Sequence, residues 1–224
     1  MDQAKRPGGS TADLRQVHSI AAFATYVDEY AVADHVALNA ELLGVIDAWR
    51  SEAEEGVSFT NHLGWHSTRT FFDRKEPAIV KLARHIRAGL AHSVKRYWAE
   101  FDPTRHPVVC EGWANVNEKG AFNAPHDHQG AHLSGSYYIS MPDSDDKSSG
   151  GLEFLNPSGV GWVRLPSGGQ MTHPTLFMRP KPGSIIIFPS YLRHWVYPNQ
   201  EEAARISIAF NLRLLDVPKD ATGA

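Results

Sequence analysis

Several polar residues in the second half of the chain have the chemistry to bind a metal ion and an anion. They are His126 and His128 in the run PHDH, His194 in FPSYLRHW, and Arg205 and Ser207 in RISIAFN. Imidazole nitrogens are ligands for iron and other transition metals, and a guanidinium group binds carboxylates through paired hydrogen bonds. This set of residues predicts an iron site beside a site for an anionic co-substrate.

His126 and His128 are separated by one residue. In an extended segment their side chains project to the same side and can bind one ion, whereas Asp127 points away. The spacing alone is a weak signal, because the chain contains 12 histidines. Asp127 stays an alternative to His128 as a ligand if the backbone departs from strand alternation. Most of the other histidines, His66 among them, are expected at the surface or as satisfied core residues.

The run that begins at Arg205 alternates regularly between polar and apolar residues. Arg205 and Ser207 share one face of this predicted strand, and the opposite face carries Ile206, Ile208 and further apolar side chains. Burying an arginine inside a barrel costs free energy unless an anion pairs with it. An ordinary Asp or Glu could be that anion, but the histidines elsewhere in this half favour a bound carboxylate.

His194 ends a buried-type segment, GSIIIFPSYLRHW, and a turn signal at residues 198–200 separates it from Arg205. We therefore expect an antiparallel hairpin that brings His194 and Arg205 onto neighbouring strands. A dicarboxylate with the shape of 2-oxoglutarate could then chelate a metal at the histidine with one end and pair with the guanidinium at the other.

The elements that must position these residues differ between the two halves of the chain. Apolar residues at helical spacing predict one helix near residues 34–53 and a second that begins near Pro77 and continues to Tyr97. From Val108 onward, β-branched and aromatic runs predict strands: VVCEGWANV, LSGSYYIS, GLEFL, GWVRL, GSIIIFP and RISIAFNLRLL. The polar stretch at residues 143–151 is expected to be an exposed connector. The pattern predicts a mainly β protein with helices (α+β), in which a sandwich or barrel is backed by N-terminal helices.

Length and composition narrow the class of protein. With 224 residues and 42% hydrophobic content, we expect a flexible tail at residues 1–13 and a single domain at residues 14–218. A net charge of −3 with no basic face argues against nucleic acid as partner, and no apolar run is long enough for a membrane span. Cys110 is the only cysteine, which excludes an intrachain disulfide and favours a cytoplasmic protein. A small-molecule substrate is the expected partner, and a homodimer is left open.

Short motifs follow one another along the second half of the chain. They are W-x-N at Trp113 and Asn115, H-x-H at His126 and His128, SGSYY at residues 134–138, FPSYLRH ending at His194, and RISIAFN at residues 205–211. This series resembles a bacterial and phage family of 2-oxoglutarate- and Fe(II)-dependent oxygenases. The resemblance extends to LNAELL in the first predicted helix and GWHS before the second, so it covers most of the chain.

The resemblance implies a double-stranded β-helix, the jelly-roll fold of cupins, with iron held by His126, His128 and His194. It also implies a co-substrate site for 2-oxoglutarate. The residues expected there are Arg205 at the far carboxylate, with Ser207, Tyr138 and Asn115. No catalytic residue beyond the metal ligands is expected.

One position departs from the commonest iron site of such enzymes, in which two histidines combine with the carboxylate of an H-x-D or H-x-E motif. Here His128 stands at the carboxylate position, so we expect a site of three histidines. A neutral third ligand leaves more positive charge on the iron, which should strengthen binding of the dianionic co-substrate. Halogenating relatives have a small residue at this position, so the bulk of His128 argues against halogenation.

The resemblance implies a dioxygenase that uses Fe(II), O2 and 2-oxoglutarate and oxidises a small organic molecule, with a role in biosynthesis. Hydroxylation is the expected reaction, and desaturation or cyclisation are alternatives. A cupin-like three-histidine dioxygenase without 2-oxoglutarate would leave Arg205 and Ser207 unexplained, and a non-catalytic metal- or small-molecule-binding barrel is the third interpretation. Residues that could line a substrate pocket are left unassigned: Trp65, Arg69, Trp113, Phe122, Arg164 and Arg179.

Overall fold

A computed structural model of the chain describes residues 18–19, 23–166 and 170–216. The tail expected at residues 1–13 lies outside the described residues, and the domain limits at 14 and 218 stay a prediction. Within the described part of the chain, no helix is both long and apolar enough to cross a membrane.

Two helices lie in the first half of the chain, close to where the periodicity predicts them. Helix α1 spans His35–Glu52, and α2 spans Pro77–Val94. Pro77 occupies the first turn of α2, where its missing N–H costs no helical hydrogen bond. The helix ends at Val94 rather than continuing to Tyr97, whose side chain is exposed. A short 3-10 helix, Phe71–Asp73, precedes α2.

The strands fill most of the remaining chain, and several of them are only two to five residues long. Those before residue 120 are β1 (Asp28–Ala31), β2 (Asn61–His62), β3 (Trp65–His66) and β4 (Val108–Asn117). The next are β5 (Phe122–His126), β6 (Leu133–Ser140), β7 (Leu152–Leu155), β8 (Val163–Arg164) and β9 (Gln170–Thr172). The last are β10 (Thr175–Met178), β11 (Ser184–Pro189), β12 (His194–Val196) and β13 (Arg205–Leu214).

Two antiparallel sheets form the body of the described structure. The larger has the strand order β1-β11-β6-β13-β4-β3, and the smaller has the order β10-β7-β12-β5-β2. Strands β8 and β9 form a separate two-stranded hairpin. Neighbours within the sheets are distant in sequence, as in β11-β6-β13-β4, which is the winding of a double-stranded β-helix. This arrangement confirms the predicted jelly roll backed by N-terminal helices.

The strand alternation of β13 decides which side chains face the helices. Ile206, Ile208 and Phe210 belong to the main core cluster, together with Leu42 of α1 and Leu82 of α2. A smaller apolar cluster packs between the two sheets and includes Tyr138, Phe154, Ile186, Phe188 and Val196. Tyr138, Phe188 and Val196 of this cluster also line a cavity between the sheets.

The predicted hairpin between His194 and Arg205 is wrong. Strand β11 ends at Pro189, and after a turn at residues 190–193 the chain continues as β12, which belongs to the smaller sheet. Arg205 opens β13, which lies between β6 and β4 in the larger sheet. The two residues therefore approach each other across the barrel from opposite sheets, because the chain changes sheet after Pro189 instead of folding back beside itself.

Candidate metal centre and co-substrate pocket

The structure brings His126, His128 and His194 together. His126 is the last residue of β5, and it pairs directly with His194, the first residue of β12. His128 follows in the loop after β5, where its backbone N–H donates to the carbonyl of Ser190 at 2.9 Å. One ligand atom from each of the three histidines lies within 4.8 Å of the others. The chain thus folds three imidazoles, 68 residues apart in sequence at most, into one cluster.

Backbone contacts orient two of these rings. Nδ1 of His126 lies 2.7 Å from the carbonyl oxygen of Ala124, and Nδ1 of His194 lies 2.8 Å from that of Leu192. An Nδ1–H that donates to a carbonyl leaves Nε2 as a free lone pair, which is the tautomer a metal ligand needs. Nε2 of His194 is 3.4 Å from Nε2 of His128. Two nitrogens bound to one ion at about 2.1 Å are roughly 3 Å apart, so the donor set fits a metal ion.

The electrostatic setting keeps these imidazoles neutral. Burial lowers the pKa of His128 to about 2 and that of His194 to about 3, and it also lowers the pKa of His126. His126 and His194 further lower the pKa of His128, and His126 lowers that of His194, since a second positive charge is unfavourable in the cluster. Neutral imidazoles with free lone pairs are ready to bind a cation.

Asp127, the alternative ligand, does not join the cluster of ligand atoms within the described residues. It lines the edge of the same cavity, where its negative charge raises the pKa of His126 against the effect of burial. The geometry therefore favours His128 over Asp127 as the third ligand.

Three residues expected to bind 2-oxoglutarate lie side by side on neighbouring strands of the larger sheet. Ser207 of β13 pairs with Asn115 of β4 on one side and with Tyr138 of β6 on the other. Arg205 lies two residues earlier on β13 and therefore on the same face, as its alternation predicts. Its guanidinium carbon is 5.1 Å from the centre of the Tyr138 ring.

Arg205 is a buried cation, with 2% of its surface exposed. Its Nε donates to the carbonyl of Gly150 at 2.9 Å, and Nη1 donates to Oγ of Ser207 at 3.1 Å. Among the described residues no carboxylate forms a salt bridge with it. Within the described part of the chain its guanidinium makes no hydrogen bond beyond these two, although the nearby Tyr138 hydroxyl raises its pKa against the effect of burial. A buried guanidinium with spare N–H groups favours an anionic ligand.

Three buried polar atoms on the strands beside Arg205 lack hydrogen-bond partners among the described residues: the hydroxyl of Tyr138, Oδ1 of Asn115 and Oδ1 of Asn117. Of these residues, Tyr138 and Asn115 line the cavity. A hydroxyl can donate to a carboxylate, and an asparagine amide can present either its oxygen or its nitrogen. Buried polar groups are normally satisfied. The unmet groups therefore fit an anionic ligand with several oxygen atoms, as 2-oxoglutarate is.

One cavity of about 310 Å³ joins the histidine cluster to Arg205. Its inner end is lined by the residues of the larger sheet described above. Its outer wall consists of aromatic and cationic side chains: Phe59, His66, Arg69 and Trp113. The guanidinium of Arg69 lies 4.7 Å from the centre of the Phe59 ring and 5.1 Å from that of Trp113. Trp113 in turn lies 5.8 Å from the ring of His128, so this wall borders the metal centre.

Sequence reasoning missed His66 as a cavity residue. The imidazole is buried and stacks on Trp113, with ring centres 5.5 Å apart. Its Nδ1 lies 2.5 Å from the carbonyl oxygen of Ser67, and burial lowers its pKa to about 4. Only the register of the two-residue strand β3 beside Asn115 places it here, and no motif signals that pairing.

The residues left unassigned divide into two groups. Arg69 and Trp113 line the cavity. Trp65 is buried in the main core, and Phe122 stacks on His62 at 4.6 Å, so neither lines it. Arg164 lies over Trp162 on the β8–β9 hairpin, and Arg179 contacts the segment between β6 and β7.

Comparison with protein families finds one family that is similar to the second half of the chain. Residues 111–211 match the family described as "Putative 2OG-Fe(II) oxygenase". The match spans every candidate metal ligand and co-substrate residue named above. The matched residues make up less than half of the chain, and this part of it is similar to enzymes that use iron and 2-oxoglutarate. No curated protein sequence matches the chain.

Several solved structures share the fold at low sequence identity. The epimerase SnoN from nogalamycin biosynthesis, in complex with Fe3+, alpha ketoglutarate and nogalamycin RO, is 15% identical with a TM-score of 0.59, over 88% of this chain and 87% of that one. A Pseudomonas putida prolyl-4-hydroxylase is 15% identical with a TM-score of 0.54, over 84% and 91%. A prolyl hydroxylase from Trichoplax adhaerens, in complex with a hypoxia inducible factor peptide fragment, is 13% identical with a TM-score of 0.56, over 84% and 83%.

Proposed function

We propose that His126, His128 and His194 bind Fe(II), and that Arg205, Ser207, Tyr138 and Asn115 bind 2-oxoglutarate, in an oxygenase that hydroxylates a small organic molecule. One observation carries the proposal. A cluster of neutral imidazoles and a buried arginine without a carboxylate partner in the described residues face the same cavity from opposite sheets.

Bound iron, together with 2-oxoglutarate and O2, supplies an oxidant for the substrate as the co-substrate decarboxylates to succinate and CO2. The residues of this chain bind and orient the reactants. The three imidazoles hold the metal without adding negative charge, so the dianionic co-substrate meets a more positive centre. Arg205 pairs with the far carboxylate, and the Tyr138 hydroxyl donates to it, which fixes the distance from the keto acid end to the histidines.

The barrel also excludes water from this reaction. Phe188 of the larger sheet and Leu152 and Val196 of the smaller sheet line the cavity, and all three are buried. Apolar walls strengthen the electrostatic interactions at the arginine and the metal, because they lower the local dielectric. The Arg205 side chain can then hold a carboxylate more tightly than an exposed arginine would.

The volume of the cavity and the residues of its outer wall favour a small substrate. A volume of about 310 Å³ lies at the lower end of the range for ligand pockets, roughly 300–1,000 Å³, and it has to hold the co-substrate as well. Phe59 and Trp113 offer aromatic surface, and Arg69 offers hydrogen-bond donors at the rim. Hydroxylation is the proposed default, and desaturation or ring closure are the other outcomes of the same chemistry.

The decisive experiment supplies purified protein with Fe(II), ascorbate and 2-oxoglutarate and measures succinate by mass spectrometry together with oxygen uptake. The proposal expects succinate release that depends on iron and on 2-oxoglutarate and stops when iron is chelated. His194→Ala should abolish release, whereas His173→Ala, a change at an exposed histidine directly after β9, should not.

Two results would contradict this proposal. Oxygen uptake without 2-oxoglutarate, in the presence of a candidate substrate, would indicate a cupin-like dioxygenase. Absence of both succinate and oxygen uptake from a protein that binds Fe(II) would indicate a non-catalytic metal-binding barrel.

A further inference from the structure

The segment between β6 and β7, residues 141–151, runs along the side chain of Arg205. The carbonyl of Gly150 accepts the hydrogen bond from Arg205 Nε at 2.9 Å. Ser207 Oγ accepts from Nη1, so two of the three guanidinium nitrogens are held by these two contacts. The remaining N–H groups are left for a ligand in the cavity. The expected exposed connector is therefore also part of the wall that holds this arginine.

Gly150 is suited to this contact by shape as well as by its carbonyl. Its φ is +63°, a conformation that side chains rarely adopt. A Cβ built at this position would lie 3.2 Å from Cδ of Arg205 and 3.5 Å from Sδ of Met141. The glycine thus lets the backbone pack directly on the aliphatic part of the arginine, so that the guanidinium has little freedom to turn away.

A second arginine holds both ends of this segment. Arg179, which follows β10 and is half-buried, donates from Nη1 to the carbonyl of Ser149 at 2.5 Å and from Nη2 to the carbonyl of Pro142 at 2.6 Å. Among the described residues it forms no salt bridge with a carboxylate. Both hydrogen bonds go to main-chain oxygens, so they determine the path of the segment, and the positive charge of Arg179 also contributes to lowering the pKa of the Asp146 carboxyl within it.

The same segment is anchored to the chain that enters β13. The hydroxyl of Ser149 accepts from the backbone N–H of Gln200 at 2.9 Å, and the N–H of Gly150 donates to the carbonyl of Pro198 at 3.2 Å. Ser149 is buried, with 2% of its surface exposed. Arg179 and this anchor therefore fix the Gly150 carbonyl from two directions.

We propose that Arg179 is a positioning residue for the co-substrate: it closes the 142–149 segment, which fixes the Gly150 carbonyl, and that carbonyl orients Arg205 toward 2-oxoglutarate. This inference rests on the proposed role of Arg205. Removing Arg179 leaves every group that would touch the co-substrate in place but releases the segment behind Arg205. The effect should therefore fall on co-substrate affinity and not on the metal, whose proposed ligands lie on the smaller sheet and in the loop after β5.

The test compares Arg179→Met and Gly150→Ala with the wild-type protein and with Arg164→Met, a matched change at an exposed arginine on the β8–β9 hairpin. Calorimetry on anaerobic, Fe(II)-loaded protein gives the dissociation constant of 2-oxoglutarate, and a separate titration gives Fe(II) affinity without 2-oxoglutarate. We expect about tenfold weaker 2-oxoglutarate binding for Arg179→Met, since an arginine that is not pre-oriented loses ordering entropy on binding. Fe(II) affinity should be unchanged, and Arg164→Met should match wild type.

Steady-state kinetics should separate positioning from a general loss of structure. The KM for 2-oxoglutarate should rise about tenfold in Arg179→Met, while kcat at saturating 2-oxoglutarate stays within about twofold of wild type. Arg179→Lys should be intermediate, because one ammonium group can hold only part of the arrangement made by a forked guanidinium. If Arg179→Met does not fold by circular dichroism, Arg179→Lys and Gly150→Ala decide the question.

Folded variants with wild-type affinity for 2-oxoglutarate would overturn the inference, and so would an equal loss of Fe(II) and 2-oxoglutarate affinity, which indicates a purely structural arginine. If the wild-type protein loaded with Fe(II) fails to bind 2-oxoglutarate at all, the proposed role of Arg205 fails first and this inference falls with it.

Discussion

His126 and His194 are direct partners in the antiparallel pair of β5 and β12, and their ring centres are 4.5 Å apart. The two imidazoles therefore owe their proximity to strand register and not to loop conformation. A bulge after His194 shifts the register, so that Val196 pairs with Asn123. Metal ligands set on paired strands are held more rigidly than ligands on loops, and His128, on the loop, is the one with freedom to adjust.

Arg205→Ala should weaken 2-oxoglutarate binding by at least about 30-fold, because truncating one member of a buried ion pair costs about 2–5 kcal/mol. Iron should stay bound, since none of its proposed ligands contacts Arg205. Isothermal calorimetry with Fe(II)-loaded protein measures the first quantity, and a chelator competition measures the second. Arg213→Ala, at an exposed position of the same strand, is the control. Simultaneous loss of iron and 2-oxoglutarate would mean that Arg205 is structural.

His128→Asn and Asp127→Asn distinguish the two possible third ligands. We expect His128→Asn to weaken Fe(II) binding by at least about tenfold, the effect of damage to a metal's coordination sphere, and Asp127→Asn to leave it within about twofold. Competition with a chromogenic chelator under anaerobic conditions gives both affinities. The opposite order would make Asp127 the ligand and His128 a wall residue of the cavity.

His66 should make the stability of the metal-free protein depend on pH. Its pKa is about 4 in the folded protein against 6.5 for the exposed side chain, because burial disfavours its charged form. As the pH falls below about 6.5, the unfolded chain takes up a proton that the folded protein does not, so the folded state loses stability, and this loss is complete near pH 4. Between pH 7.5 and 5 the loss should be about 1–2 kcal/mol.

Urea unfolding of wild type and His66→Asn at these two pH values measures that contribution. The asparagine amide can still donate to the Ser67 carbonyl, which preserves the local hydrogen bond. The difference in unfolding free energy between pH 7.5 and 5 should be smaller in the variant by the stated amount. Equal pH dependence in both proteins would mean that His66 titrates normally.

Gly135→Ala should destabilise the protein by roughly 2–4 kcal/mol, because a Cβ there would overpack a rigid sheet. Gly135 lies in β6 between β11 and β13, and its added Cβ would lie 2.3 Å from the carbonyl oxygen of Ile186 and 2.5 Å from the Phe210 ring. Gly44→Ala is the control, since Gly44 is an exposed position of α1 with nothing within 4 Å of an added Cβ. That change should be neutral or stabilising by about 0.5–1 kcal/mol. Thermal unfolding of both variants compares them, and an equal effect would contradict the close approach at Gly135.

The parts of the fold that sequence predicts best are those with long, regular patterns. The ten residues of β13 alternate so cleanly that the faces of Arg205 and Ile206 follow from spacing alone, and the structure places them accordingly. Both helices follow from apolar spacing in the same way. By contrast, β5 contains Pro125 and asparagine, and β12 is three residues long, so neither carries a pattern that distinguishes it from a loop.

The relative position of His194 and Arg205 could not be predicted from local sequence. Nearness in sequence suggested a hairpin, but the choice of sheet depends on packing over the whole barrel, and the turn at residues 190–193 sends the chain across it. The positions of Arg179 and His66 were also not predictable from local sequence. Each reaches its place through contacts with residues 30 to 49 positions away, and a single sequence gives no sign of such contacts.

Arg205 lies on one sheet and two of the proposed metal ligands lie on the other, and this separation has a consequence for stability. A molecule that chelates the metal at one end and pairs with Arg205 at the other connects the two sheets of the barrel. The metal alone contacts only its own ligands, and the co-substrate alone binds weakly because it has no metal to chelate. The increase in melting temperature with both present should therefore exceed the sum of the two separate increases. A synergy of that kind, read from melting curves, would report assembly of the centre before any substrate is known.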